Sequence, residues 1–301
     1  MNEFIITLRE CLEATLIIGI MYTVLDKQGL TEQKKYLWAA VFFSVIASAI
    51  LGVALYRTIE NAGDSGQKEL LEGVLMYITA GLLFYVIFWM NKNLASKKQI
   101  ADKTNAAMEA GKWGLFFLVF FAILREGFET ALFLVASTSI DEQFSYAGFF
   151  GGIVLAVLIG YLIVVQGKKL DLRKFFSYTT LLLVFFAAGM IAYGTHELHE
   201  YVETREALEH PGVEEKEVKV YNIFKSKTAE DNPDSFWYTQ QEDGKYIHLL
   251  NDKGHVGSFF KGLFGYNSDP IWIEVILWFL SLSAGLYFWY RMYKVKPVGV
   301  K

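Results

Sequence analysis

One pattern constrains this chain more than any other: Arg-Glu-x-x-Glu occurs twice, each time inside an apolar run. Ile6–Thr15 reads ITLRECLEAT and carries Arg9, Glu10 and Glu13; Phe121–Thr130 reads FAILREGFET and carries Arg125, Glu126 and Glu129. Each run is long enough to cross a bilayer as a helix. A charge near the centre of a membrane costs at least about 2.5 kcal/mol, so such residues face a protein interior or an aqueous path and mark a function. On a helix the two glutamates of each motif are three apart, and the arginine and second glutamate four apart. All three therefore reach adjoining faces.

The surrounding sequence defines the class. With 53% hydrophobic residues over 301 positions, long apolar runs dominate, and the chain reads as an all-α polytopic membrane protein. Seven spans are expected, at Phe4–Leu25, Leu37–Arg57, Leu70–Met90, Trp113–Ser137, Tyr146–Gln166, Phe175–Gly194 and Ile271–Arg291. A run of about 20 residues gives about 30 Å of helix, the thickness of the hydrocarbon core. The first apolar segment carries three charges and no basic leader, so it is expected to remain as a helix and not to be removed as a signal peptide. The single cysteine, Cys11, excludes an intrachain disulfide and a cysteine-rich metal cluster.

Basic residues set the expected orientation. Loops one, three and five and the tail hold sixteen Lys and Arg, whereas the second loop has only Arg57 and Lys68 and the fourth has none. The positive-inside rule then places the N-terminus outside and the C-terminus in the cytoplasm. The first and fourth spans would run in opposite directions, so spans one to three and four to six form a 3+3 inverted repeat, followed by one more helix. In transporters built this way the binding site lies at the repeat interface near the midplane. Residues 1–196 would hold six spans in halves of about 1–92 and 113–196. Residues 197–269 would form a small extracytoplasmic α/β cap, and 270–301 the last span and a cytoplasmic tail. In the cap, EVKVYNIF and KYIHLL read as strands and Glu242-Asp243-Gly244-Lys245 as a hairpin turn, after a continuation of the sixth helix to about Leu208 that Pro211-Gly212 would end.

Opposed across a helix pair, the motifs would offer four carboxylates and two guanidiniums. Hard cations take oxygen ligands, and arginine can hold the carboxylates while the site is empty. The competing reading is a set of salt bridges that only holds the bundle together. Further acids, Glu60, Asp64, Glu69, Glu72, Asp141, Glu142, Glu197, Glu200 and Glu203, fall on the expected outer side, where they would concentrate cations. Glu72 lies a turn inside the third span and is expected to act in the pathway. Glu197 and Glu200, in His196-Glu197-Leu198-His199-Glu200, are candidates for an outer mouth. With its histidines three apart, this stretch is not the His-Glu-x-x-His zinc signature.

The sequence resembles the high-affinity iron permeases, a family that includes fungal ferric permeases and bacterial EfeU-type transporters. The elements that carry the resemblance are LRECLEA, LREGFETALF, EGVLMYITAGLLFYVIFWM, the GTHEL that closes the sixth span, and GSFFKGLFGYNSDP before the seventh. The resemblance implies a plasma-membrane iron transporter, in bacteria of the inner membrane, and no enzyme. Iron would bind at Glu10, Glu13, Glu126 and Glu129, with Arg9 and Arg125 in support. Cys11 stands where the family usually has glycine. Iron is the cargo; no cofactor and no nucleic acid is implied, membrane lipid surrounds the spans, and an extracytoplasmic oxidase or iron-delivery protein is a conceivable partner. Carboxylates alone do not separate Fe(III) from Fe(II) or Mn(II), so another metal cation is the alternative cargo. A structural scaffold is the other alternative.

Overall fold

The computed structural model describes residues 2–61, 65–93, 97–141, 144–164, 166, 172–209, 219–221, 224, 226–228, 236–240 and 245–293. Helices α1 (Asn2–Lys27), α2 (Gln33–Glu60), α3 (Ser65–Asn93), α5 (Lys112–Asp141), α6 (Tyr146–Val164), α7 (Leu172–Glu209) and α9 (Trp272–Tyr293) fall on the seven expected stretches, with α6 ending two residues before the expected Gln166 and α9 starting one after Ile271. Five of them, α2, α3, α6, α7 and α9, are long and apolar enough to cross a membrane by length and composition. The other two, α1 and α5, are as long but each holds the three charges of its motif. Helices suit such sequence because every backbone N–H and C=O is satisfied within the segment, which lipid cannot do.

α1 packs along α6, α2 along α5, and α3 along α7, while α1 also crosses α5 and α9 lies on α7. The largest apolar core joins Ile6 of α1 to Met76 and Leu83 of α3, Phe133 of α5 and Leu183 of α7. α2, α6 and α9 turn large apolar side chains outward, among them Phe42, Ile50, Val154, Leu158, Phe279 and Leu280. That inside-out surface is what a hydrocarbon solvent favours.

Small residues let the paired helices approach. Ala40, Ser44 and Ser48 are buried one turn apart on α2, and Gly152, Ala156 and Gly160 on α6. A methyl added at Gly160 would overlap Thr15 of α1, and one added at Gly52 would sit 3.2 Å from Ala131 of α5. Such stripes are the usual device for helix contact in lipid, where apolar bulk alone gives no drive to associate.

The third loop differs from expectation: residues Lys97–Glu109 form a helix, α4, whose Ile100 and Met108 cover a core made by α1, α2 and α5. Between α7 and α9 lie a two-stranded antiparallel pair, β1 (Tyr238–Gln240) with β2 (Tyr246–His248), and a short helix α8 (His255–Phe264). β2 lies within the expected KYIHLL strand, and α7 continues to Glu209 as expected. The expected EVKVYNIF strand is not seen among the described residues, where Lys219 makes only a single bridge to Ile271. Glu242 to Gly244, Pro211-Gly212, Asp64 and Glu142 lie outside the described residues.

Candidate metal centre

The two motifs meet where α1 crosses α5. One carboxylate oxygen from each of Glu10, Glu13 and Glu126 can be chosen so that all three lie within 4.8 Å of one another. Glu10 and Glu126 are buried, and Glu13 is 15% exposed. Glu129, 13% exposed, borders the group and acts electrostatically with Glu13 and Arg9. Buried carboxylate oxygens normally accept hydrogen bonds, yet Oε2 of Glu10, Glu126 and Glu129 accept none. Glu13 Oε1 lies 3.1 Å from Arg9 Nη2 but off the hydrogen-bonding direction, so that contact is ionic only. Several buried acceptor oxygens thus converge, which is the donor set a hard cation takes.

The arginines are not equivalent. Arg9 is 1% exposed and touches both Glu10 and Glu13. Arg125 is 42% exposed and lies 3.4 Å from Glu126 Oε1 and 3.1 Å from Glu129 Oε1. The expected pair of central guanidiniums is therefore one buried arginine and one at the edge. Around the motifs the packing also differs. A methyl at Gly127 would overlap Ser48 of α2, whereas Cys11, its counterpart, packs on a cluster that includes Ala156 of α6.

Of the other acids expected to concentrate cations, Glu60 ends α2 and Asp141 ends α5, while Glu69, Glu72, Glu197, Glu200 and Glu203 sit on a different helix pair, α3 with α7. Glu72 is 14% exposed, with Lys68 Nζ 3.9 Å away, and Glu197 lies within electrostatic reach of Glu72, Glu69 and Glu200. Glu69 Oε2 accepts from Thr204 at 3.2 Å. Glu200, expected at an outer mouth, is 3.4 Å from His196 Nε2. The other ring nitrogen of His196 is 2.9 Å from Oε1 of Glu274, which is buried. Asn267 Nδ2 donates to Glu274 Oε2 at 3.0 Å. GTHEL of α7 and GYNSDP before α9 are thereby tied together through Glu274.

Sequence reasoning passed over Glu274 and Glu3, both almost fully buried. The signal was present for Glu274, the one acid in WIEVILWFL, because an ionisable residue inside a span is a site candidate by default.

A buried carboxylate centre within a bundle of long apolar helices defines the class: a multi-pass membrane protein that handles a cation. Residues 1–229 match the model of the iron permease FTR1 family, and the chain belongs to that family. It is similar to the ferrous iron permease EfeU of Yersinia pestis, at 31% identity over 94% of this chain and 90% of the relative. The same-named permease of Escherichia coli O6:K15:H31 is 29% identical over 94% and 92% of the two chains. An uncharacterized protein of Archaeoglobus fulgidus is 32% identical over 97% and 95%. No solved structure matches the chain significantly. The family consists of iron transporters and not of enzymes, and iron is its substrate.

Proposed function

We propose that this chain carries iron inward across the plasma membrane, in a bacterium the inner membrane, through the carboxylates of Glu10, Glu13, Glu126 and Glu129. The observation that carries this reading is the convergence of buried glutamate oxygens from both motifs, three of them within 4.8 Å. With both arginines counted, the empty centre is net negative, and a divalent or trivalent cation brings it near neutrality. The relatives named ferrous iron permease favour Fe(II) as the transported form. Mn(II) is the competing cargo, since it takes the same oxygens.

The architecture we propose is seven spans, three and three in inverted halves plus α9, with the N-terminus and the cap outside. Helix packing supports the halves. Exchanging α1 with α5, α2 with α6 and α3 with α7 turns the α1–α6 contact into the α2–α5 contact and leaves the α3–α7 contact unchanged. The shift that takes Glu10 to Glu126 takes Thr15 to Ala131, and these two face Gly160 and Gly52 respectively. The shift from Gly52 to Gly160 also takes Ala40 to Gly148, Ser44 to Gly152 and Ser48 to Ala156. An outer route past Glu72, Glu197 and Glu200 leads the ion toward the motifs. An extracytoplasmic oxidase or iron-delivery protein would act at the cap.

The test is uptake of radioactive iron into proteoliposomes under anaerobic reduction, with Mn(II) as competitor. Glu13→Gln and Glu126→Gln should each abolish flux in protein that remains folded. Near-normal flux in either, or stronger inhibition by Mn(II) than by unlabelled Fe(II), overturns the reading.

A further inference from the structure

The two helices that carry the motifs are covered unequally, and the inequality has a direction. The shift that takes Glu10 to Glu126 takes Ile5 to Phe121, Arg9 to Arg125 and Leu12 to Phe128. On α1 these three are 7%, 1% and 0% exposed, whereas on α5 they are 61%, 42% and 41% exposed. The exposed face of α5 continues through Phe117 and Trp113 to the first turn of the helix. Toward the other end it stops, because Leu132, Phe133, Val135 and Ala136 are buried.

Hydrocarbon is a poor neighbour for that face. Arg125 stands near the middle of the 30-residue α5, about 20 Å from its first residue at 1.5 Å per residue. Basic side chains snorkel to the interface near helix ends, and Arg125 is far from one and held 3.1 Å from Glu129 and 3.4 Å from Glu126. A charge inside a span faces protein or a water-filled cavity. The rest of this chain leaves Arg125 half-covered, and the uncovered face leads to the N-terminal end of α5, the cytoplasmic end in the orientation proposed above.

At the counterpart face the chain supplies its own cover. Leu183 and Phe186 of α7 and Leu263 of α8 close on Ile5 and Ile6 of α1 around a gap of only about 10 Å³. That closure lies between the motif and the N-terminal end of α1, the outer end in the same orientation. One turn inward of it, Leu12 is buried in a cluster with Val86 of α3 and Phe176 of α7.

We propose that the Phe121–Arg125–Phe128 face of α5 is the exit gate of the iron path, open here to the cytoplasm. The Ile5–Arg9–Leu12 face of α1 is the entry gate, closed here by α7 and α8. This deepens the transport reading and rests on it and on its orientation. In transporters with inverted repeats, the halves exchange states around a fixed site. Uncovering Ile5 and Arg9 then goes with covering Phe121 and Arg125. After the ion leaves, Arg125 remains on Glu126 and Glu129, and its charge opposes a cation entering from the cytoplasm.

The test is labelling of single cysteines in a Cys11→Gly background with a membrane-impermeant maleimide, in vesicles of either sidedness. Phe128→Cys should label at least tenfold faster in inside-out than in right-side-out vesicles, and Leu12→Cys slowly in both. Should Phe128→Cys not fold, Phe121→Cys, two turns nearer the inner end, replaces it. Ile5→Cys and Leu183→Cys, joined across the entry gate by a cleavable bifunctional thiol reagent, should lose iron uptake and regain it on cleavage. Labelling of folded Phe128→Cys from neither side would put that face against lipid or a second copy and overturn the proposal. Equal rates from both sides, or uptake that survives a completed cross-link, would do the same. Labelling needs no flux, so a chain that shows this pattern yet carries no iron would overturn the cargo and not the gate.

Discussion

Arg9 and Arg125 hold the same place in their motifs, yet Arg9 is 1% exposed between two carboxylates while Arg125 is 42% exposed beside its own pair. Arg9 is enclosed by acids of both motifs, since Glu126 and Glu129 act on it as well as Glu10 and Glu13. In the proposed site it would be the built-in countercharge of the four glutamates while no cation is bound.

Removing that countercharge should hurt folding more than removing its partner at the edge. Breaking a buried ion pair costs about 3–5 kcal/mol, because the remaining charge is left uncompensated. Arg9→Gln should therefore lower the thermal unfolding midpoint in detergent further than Arg125→Gln. The opposite order would mean that the edge arginine carries the centre.

If the halves are equivalent, their helix crossings should fail alike. Gly160→Leu would overlap Thr15, and Gly52→Leu would press on Ala131. Overpacking of this kind costs about 1–3 kcal/mol, and each variant should lose stability and iron uptake together. Gly81→Ala is the control, because nothing lies within 4 Å of a Cβ there. Loss in one crossing with full tolerance in the other would count against the inverted repeat.

Orientation is checked by thiol labelling in a Cys11→Gly background. A cysteine at Lys253 in the cap should react with a membrane-impermeant reagent from outside, and one at Lys103 on α4 only after permeabilisation. Both residues are exposed, so access and not burial decides the outcome. The reverse pattern would invert the topology and the direction of transport.

Glu72 and the Glu197/Glu200 pair should separate kinetically. Attraction between exposed charges is screened over about 8 Å at physiological ionic strength. Glu197→Gln with Glu200→Gln should raise the apparent KM for iron and flatten its salt dependence, with little change in maximal flux. Glu72→Gln, deeper in α3, should lower maximal flux. A double variant with wild-type KM and salt response would confine the pathway to the motifs.

Glu274 should act as a fastener between α7 and α9. Hydrogen bonds to a charged group contribute about 1.5–3 kcal/mol each, and Glu274 has two. Glu274→Ala should loosen the cap, read as faster proteolysis at residues 245–254, more than Glu274→Gln. Equal cleavage in both variants and wild type would remove that role.

The sequence by itself determined the long helices, the pairing of Glu10 with Glu13 and of Glu126 with Glu129, and the membership in an iron permease family. Those follow from local pattern: apolar runs of span length, and charges three and four apart on one helix. The small-residue stripes on α2 and α6 acquire meaning only once Gly52 and Gly160 are seen against Ala131 and Thr15. Tertiary structure alone decided that Arg9 is enclosed and Arg125 is not, that α4 and α8 are helices, and that Glu274 closes on His196. Spacing along a chain fixes which faces residues share on their own helix. Which of two identical motifs is covered, and which distant acid meets a histidine, depends on how neighbouring helices are placed around them.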